Sequence, residues 1–325
     1  MELSFIKCHG SGNDFILIDE SGQALEEGLR GPLSVELCDR GSGVGADGIL
    51  FYQSPVAGAD ARMRIFNADG SEARMCGNGI RCLGRYALER AGRELASIAV
   101  MGDVVLEVRR VEAVYPGVES VATEIGPIRL DVASLPMVHR GRELVREVIP
   151  TLSSHLAFTA LSVPNPHIVA RVERVELEDL ARIGRLANGD HPLFPQGVNV
   201  SFWRVLANGL YVATYERGVG LTHSCGTAMT ASTFAACMAR LFSFGVPVPV
   251  FNAGGKVICT ALWGSDGVHG GRLAGNATFE WHGVVELEKA PLAEHRPVLR
   301  QVRRVGERDD EIQAYDLFKA VCHLG

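Results

Sequence analysis

Lysine is nearly missing from this 325-residue chain: Lys7, Lys256, Lys289 and Lys319 are the only four. A Schiff-base enzyme needs a lysine beside its cofactor phosphate site, so the scarcity speaks against that chemistry. Arginines are numerous but scattered. With a net charge of -6 and a pI near 5.9, nothing electrostatic points to nucleic acid or an anionic membrane as partner. Long apolar runs are lacking too. The most apolar late window, Leu241 to Phe251, is broken by Gly245, Pro247 and Pro249 and is too short to span a bilayer. The opening residues Met1 to Lys7 carry no basic segment leading into an apolar run, so a cytoplasmic protein is expected. Eight cysteines occur without a single CxxC pair, and the Cys76/Cys82 spacing does not suit zinc. Reduced thiols are expected, with no metal and no cofactor.

What the chain does have is a repeat. Met75-Cys76-Gly77-Asn78-Gly79 and Ser224-Cys225-Gly226-Thr227-Ala228 lie 149 residues apart, and each precedes an apolar stretch of helical character. Nine residues before each cysteine a polar residue follows an aromatic one: Phe66-Asn67 and Tyr215-Glu216. Farther upstream, Asn13-Asp14-Phe15 parallels Asn165-Pro166-His167 at an offset of 152. Two copies of one plan are indicated, each with a thiol at the mouth of a helix. The length also fits two domains of roughly 150 residues.

In the first copy, strands are expected around 5–8, 15–18, 49–52, 63–66, 97–100 and 104–108, and a short helix over 33–39. Ile80, Leu83, Ala87, Leu88 and Ala91 repeat at helical spacing, with Gly92 as C-cap. In the second, strands are expected over 168–172, 198–203 and 210–215, then a helix from Gly226 to about Phe242 that is apolar on nearly every side and must be enveloped by protein. Final strands are expected over 256–262 and 278–287, then a solvated stretch from Arg303 to Asp310 and a short helix to Cys322. The fold class is α+β, each half a curved, mostly antiparallel sheet wrapped around one central helix.

Gly43-Val44-Gly45-Ala46-Asp47-Gly48 matches the dinucleotide fingerprint GxGxxG, but it precedes a strand instead of opening a helix, so a loop shaping a pocket wall is the better reading. A lone cysteine is most often a small buried hydrophobe, and Cys82, Cys237 and Cys259 fit that. Cys76 and Cys225 differ by standing at equivalent helix starts. Unpaired N–H groups and about half a positive charge there favour a thiolate. The following glycine lets a carboxylate approach the same N–H groups. A sulfur on each face of one Cα could remove a proton on one side and return it on the other, which inverts an amino-acid centre. Asn67, Asn199, Glu216 and Arg217 sit at strand ends or turns, where they can reach a second end of the substrate. Arg217 suits a carboxylate, and Glu216 and asparagine oxygens suit an ammonium. Taken singly, each has a plainer reading as a turn residue or a surface ion pair.

At these residues the chain resembles the diaminopimelate epimerase family of cofactor-independent isomerases. The match runs from Lys7-Cys8-His9-Gly10-Ser11-Gly12-Asn13-Asp14-Phe15 through Arg64-Ile65-Phe66-Asn67-Ala68-Asp69-Gly70 and Cys76-Gly77-Asn78-Gly79. It continues in Asn165-Pro166-His167, Asn199-Val200, Tyr215-Glu216-Arg217-Gly218 and Cys225-Gly226-Thr227, up to the strand ending near Leu287. The resemblance implies interconversion of LL- and meso-diaminopimelate, in lysine and peptidoglycan-precursor synthesis, with Cys76 and Cys225 as acid/base thiols. Gly77, Asn78, Gly226 and Thr227 would bind the reacting carboxylate. Asn13, Asn67, Asn165, Asn199, Glu216 and Arg217 would bind the substrate, largely at its non-reacting centre. His167 and Glu216 match positions that tune the thiols. The implied domains are 1–126 with 277–287, and 127–276, with the site between them and 288–325 as a C-terminal extension. The implied partner is a small-molecule substrate; a homodimer is left open.

The chain departs from the family at Gly48, where many members have glutamine, and at Val163-Pro164, Leu221 and Ala228. None removes a group the chemistry needs. Two other readings stand beside this one: a related racemase of another amino acid such as histidine or proline, and a non-catalytic thiol-sensing or binding protein.

Overall fold

The computed structural model describes residues 2–22, 25–102, 104–288 and 297–323. It divides into a discontinuous first unit, Met1–Thr123 with Gly275–Gly325, and a continuous second unit, Glu124–Ala274. The chain crosses from the first to the second within the strand Ser120–Ile128 and returns within His269–Asn276.

Element for element, the two units repeat one order. In the first, strands Glu2–Gly10 and Asn13–Asp19 form a hairpin, helix Arg30–Cys38 follows, and strand Gly48–Gln53 pairs in parallel with Asn13–Asp19. In the second, Ala157–Ser162 and Pro166–Arg171 form the hairpin, helix Leu177–Asn188 follows, and Asn199–Leu206 pairs in parallel with Pro166–Arg171. Next come the antiparallel strands Ala61–Asn67 and Gly209–Glu216, each completed by a short strand, Glu72–Ala73 or Gly220–Thr222. Each short strand hands the chain to the central helix, Gly77–Ala91 or Gly226–Met238. An antiparallel meander closes each unit: Leu95–Val100, Val104–Arg110 and Ser120–Ile128 in one, Val248–Asn252, Gly255–Leu262 and His269–Asn276 in the other. Helix Leu177–Asn188 is absent from the sequence expectations, although its leucines and Ile183 recur at helical spacing.

Each central helix is wrapped by the strands of its own unit. Ile80, Cys82, Leu83, Ala87 and Leu88 pack in one core with Phe15, Leu50, Ile65 and Val108. Gly92 ends this helix in the left-handed conformation, φ 61°, its N–H on the Glu89 and Leu88 carbonyls. The second helix is buried on all sides through Ala228, Ala231, Phe234, Ala235 and Ala236. It stops at Met238, short of the expected Phe242. Arg240 turns left-handed at φ 60° and Leu241 N–H returns to the Ala236 carbonyl, a helix stop that apolar composition does not encode.

The tail also differs from expectation. Arg303 and Arg304 are exposed, as a solvated stretch requires, but they lie on an unforeseen strand: Val298–Glu307 pairs with Thr278–Glu288, which in turn pairs with Glu2–Gly10. Helix Asp309–His323 then packs Tyr315 and Phe318 against Val118, and Tyr315 meets the His9 ring at 4.2 Å. Buried Glu311 holds Arg85 of the central helix with both oxygens, at 2.5 and 2.8 Å, and accepts Phe279 N–H at 3.1 Å. Among the described residues no helix is long and apolar enough to cross a membrane.

Candidate active site

In the first unit Cys76 is the N-cap residue of the central helix. Its backbone is extended (φ -136°, ψ 120°) while its carbonyl already accepts Ile80 N–H at 2.9 Å. The helix therefore begins at Gly77 and Asn78, whose N–H groups are among those left without intrahelical partners. The half-buried Cys76 Sγ donates to Asn13 Oδ1 at 3.6 Å, and Asn78 Nδ2 donates to the same oxygen at 3.3 Å. Asn13, Cys76 and Asn78 are thus brought together from the end of the first hairpin and the helix start. Asn67 ends its strand opposite Gly48 and donates to Ser71 Oγ at 3.0 Å across a turn. A Cβ on Gly48 would come within 2.5 Å of the Phe66 carbonyl oxygen, so the close approach of the two strands is what glycine serves here.

Arg81 is a site residue that the sequence expectations missed. Fully buried, it donates to the Gly77 carbonyl at 2.9 Å, to Ser11 Oγ at 3.0 Å and to the Asn276 carbonyl at 3.1 Å. It thereby ties the first helical turn to the turn that carries Asn13. A buried arginine is rare unless its donors are satisfied, which is a usable signal only once its neighbours are known.

The second unit repeats the helix start with different neighbours. Cys225 is buried, with an extended backbone (φ -128°, ψ 109°), and its carbonyl accepts Met229 N–H at 3.0 Å. Its Sγ lies 3.4 Å from Thr227 Oγ1 and is also hydrogen-bonded to the Glu216 carboxyl. Burial pushes the Glu216 carboxyl up from its ordinary value and the bond to Cys225 opposes that rise. His167 is fully buried on the neighbouring strand, its Nε2 2.9 Å from Asn165 Oδ1 and 3.1 Å from Thr227 Oγ1. Burial first, and the Arg217 charge second, push His167 down to about 3, so the imidazole is neutral. Because Asn165 Oδ1 can only accept, Nε2 carries the proton, and the Thr227 hydroxyl hydrogen is left for the Cys225 sulfur.

Asn199 and Arg217 form a neighbouring pair: Asn199 Oδ1 accepts Arg217 N–H at 2.8 Å, and the Arg217 guanidinium donates to the Gln196 carbonyl at 3.1 Å. Tyr215, just before Glu216, lies over Gly184 of helix Leu177–Asn188. A Cβ there would fall 2.2 Å from the tyrosine ring. No cluster that could hold a metal occurs among the described residues.

Known proteins match this chain in sequence and in fold. The family model described as diaminopimelate epimerase matches residues 5–124. The diaminopimelate epimerase of Clostridium acetobutylicum is 43% identical over 292 residues, covering 89% of this chain and 87% of its own length. That of Ligilactobacillus salivarius is 42% identical, with 85% and 88% covered. Among solved structures, a PhzF-family phenazine biosynthesis protein of Bacillus anthracis superposes with a TM-score of 0.65 at 16% identity, covering 88% of this chain and 99% of its own. A probable proline racemase from Agrobacterium radiobacter gives 0.61 at 14% identity, with 90% and 96% covered. Those two speak for the fold alone. Sequence identity at the level of the first two, sustained along most of both chains, places this protein in the diaminopimelate epimerase family.

Proposed function

We propose that this chain interconverts LL- and meso-diaminopimelate by a two-base exchange at one Cα, with Cys76 and Cys225 as the two thiols. The observation that carries the reading is the repeated helix start, a cysteine N-cap followed by glycine as the first helical residue in each unit. The relatives named as diaminopimelate epimerases supply the substrate.

One thiolate takes the Cα proton and becomes a thiol, leaving the electron pair on Cα. The other thiol, on the opposite face, gives its proton to that pair and becomes a thiolate. No electrons are gained or lost, and the two sulfurs exchange protonation states. General acid–base chemistry alone contributes roughly 10²–10⁴-fold, too little for so weak a carbon acid. The remainder is assigned to the N–H groups of Gly77, Asn78, Gly226 and Thr227, which receive the substrate carboxylate and the negative charge that builds on it. Asn13, Asn67, Asn165, Asn199, Glu216 and Arg217 hold the substrate, chiefly at its unreacting end. His167 and Glu216 tune Cys225, the first by directing the Thr227 hydroxyl to the sulfur and the second by accepting from the thiol. The enzyme so read is cytoplasmic and uses no cofactor.

The test is exchange. Reduced protein in D₂O should place deuterium at the α-carbon of LL-diaminopimelate and yield the meso isomer. Exchange into proline or histidine but not diaminopimelate would move the assignment to another racemase. No exchange into any amino acid under reducing conditions would leave only a binding protein.

A further inference from the structure

The glycine-rich loop 43–48 has no part in the reading above, yet its Asp47 reaches the neighbourhood of a thiol. Asp47 Oδ2 accepts from Asn13 Nδ2 at 2.6 Å and from Asp14 N–H at 3.1 Å. Its other oxygen accepts from Arg40 at 2.8 Å, and Arg40 also holds Asp14 with both amino groups, at 3.1 and 2.8 Å. Buried Lys7 donates to Asp14 at 2.5 Å and to the Gly45 carbonyl. The network therefore runs from a buried lysine through two carboxylates and ends on one amide.

An amide donates on one side and accepts on the other. With Nδ2 held by a carboxylate, Asn13 presents Oδ1 to Cys76 Sγ and Asn78 Nδ2. In that contact the sulfur donates, so the thiol is favoured over the thiolate, against the pull of the helix N-terminus. Turned over, the amide would offer its NH₂ to the sulfur and favour the thiolate. The charged groups bonded into this network or to the first helical turn include Lys7, Asp14, Arg40, Asp47 and the buried Arg81, and Arg74 lies two residues before Cys76. From this geometry we infer that Asp47 is a positioning residue: it fixes the Asn13 amide with its oxygen toward Cys76 and so keeps that thiol protonated, ready to deliver a proton. Its use in turnover rests on the proposed function; the amide orientation does not.

The test reads the thiol instead of turnover. Alkylation by iodoacetamide is followed against pH by mass spectrometry of the peptide containing Cys76, with Cys225 in the same protein as control. Asp47→Ala should raise the Cys76 rate at neutral pH about tenfold, one unit of thiol pKa, and leave Cys225 unchanged. Asp47→Asn should stay within about twofold of the parent, because its carbonyl still satisfies the N–H donors of Asn13 and Asp14. Both variants remove the same negative charge, so equal shifts in the two would overturn the inference in favour of plain electrostatics. Asn13→Ala removes the accepting oxygen itself, and adding Asp47→Ala to it should move the Cys76 profile no further. A further shift in that double variant, or no shift in Asp47→Ala, also overturns it. Unfolding of Asp47→Ala would move both thiols together, and the Asp47→Asn and Asn13→Ala arms then decide. A parent protein that fails to epimerise would defeat the proposed function and leave these profiles intact.

Discussion

The two central helices begin alike and are held in their sheets by opposite means. Helix Gly77–Ala91 is anchored through charge. Arg81 and Arg85 are buried along it, Arg85 is paired with Glu311 and lies 4.0 Å over the Phe279 ring, and Tyr86 and Arg90 both bond to Asp19. Helix Gly226–Met238 is anchored by shape. Small residues let strands approach its axis, Thr230 and Thr233 return their hydroxyls to carbonyls one turn back, and Phe234 packs edge-on to Phe244 and stacked with Trp263. The thiols differ in the same sense. Cys76 faces an amide oxygen, whereas Cys225 faces a hydroxyl and a carboxyl. One helix start is thus compatible with two kinds of support, and the chemistry of a thiol is set by what surrounds the cap more than by the cap.

If the two thiols are equal partners in one reaction, Cys76→Ala and Cys225→Ala should each cut interconversion by about 10³-fold or more. Near-normal turnover in either variant would make the helix starts unequal in function and end the two-base account. Next in size, Glu311→Gln leaves the buried Arg85 with only the more exposed Glu89 as carboxylate partner and should cost roughly 3 kcal/mol in urea unfolding. Phe234→Leu, a smaller apolar side chain in an apolar site, should cost about 1–2 kcal/mol. Equal costs would mean that the contrast between charge and shape does not carry into stability. The response to acid is where the units should behave alike. His9 and His167 are each pushed down to about 3, by burial first. Both are neutral in the folded protein, so the unfolded chain binds more protons below about 6.5 and stability falls as pH drops from there toward 3. Asp14 adds a later loss. Burial pushes its carboxyl up, but hydrogen bonds from Arg40 and Lys7 outweigh that and hold it at about 2. Its contribution is present above the ordinary carboxylate range and fades only as pH falls toward 2. His167→Gln should flatten the urea midpoint between pH 7 and 5; an unchanged slope would mean that the buried imidazole does not govern acid sensitivity.

Where a backbone signal and an apolar pattern coincide, the sequence is readable. Gly92 after a run of helically spaced apolar residues marks the helix end correctly, and both cysteine N-caps lie where the repeat places them. Helix Leu177–Asn188 was legible in principle, since the repeat demands a counterpart to Arg30–Cys38, but it shares no motif with that helix. Strand Val298–Glu307 hid its nature behind Arg300, Arg303 and Arg304, which keep an edge strand soluble and erase its alternation. The Asp47–Asn13 contact joins residues 34 apart in sequence, and no local pattern announces such a pairing.

The discontinuity of the first unit bears on how the protein is made. Strand Glu2–Gly10 is made long before its partner Thr278–Glu288 and before the Glu311 that holds Arg85. The second unit is continuous and can close once residue 274 is made, while the Cys76 helix waits for Glu311. At about 5–20 residues per second, the 226 residues separating Arg85 from Glu311 mean about 11–45 seconds of nascent chain in which Arg85 has only Glu89 as carboxylate partner.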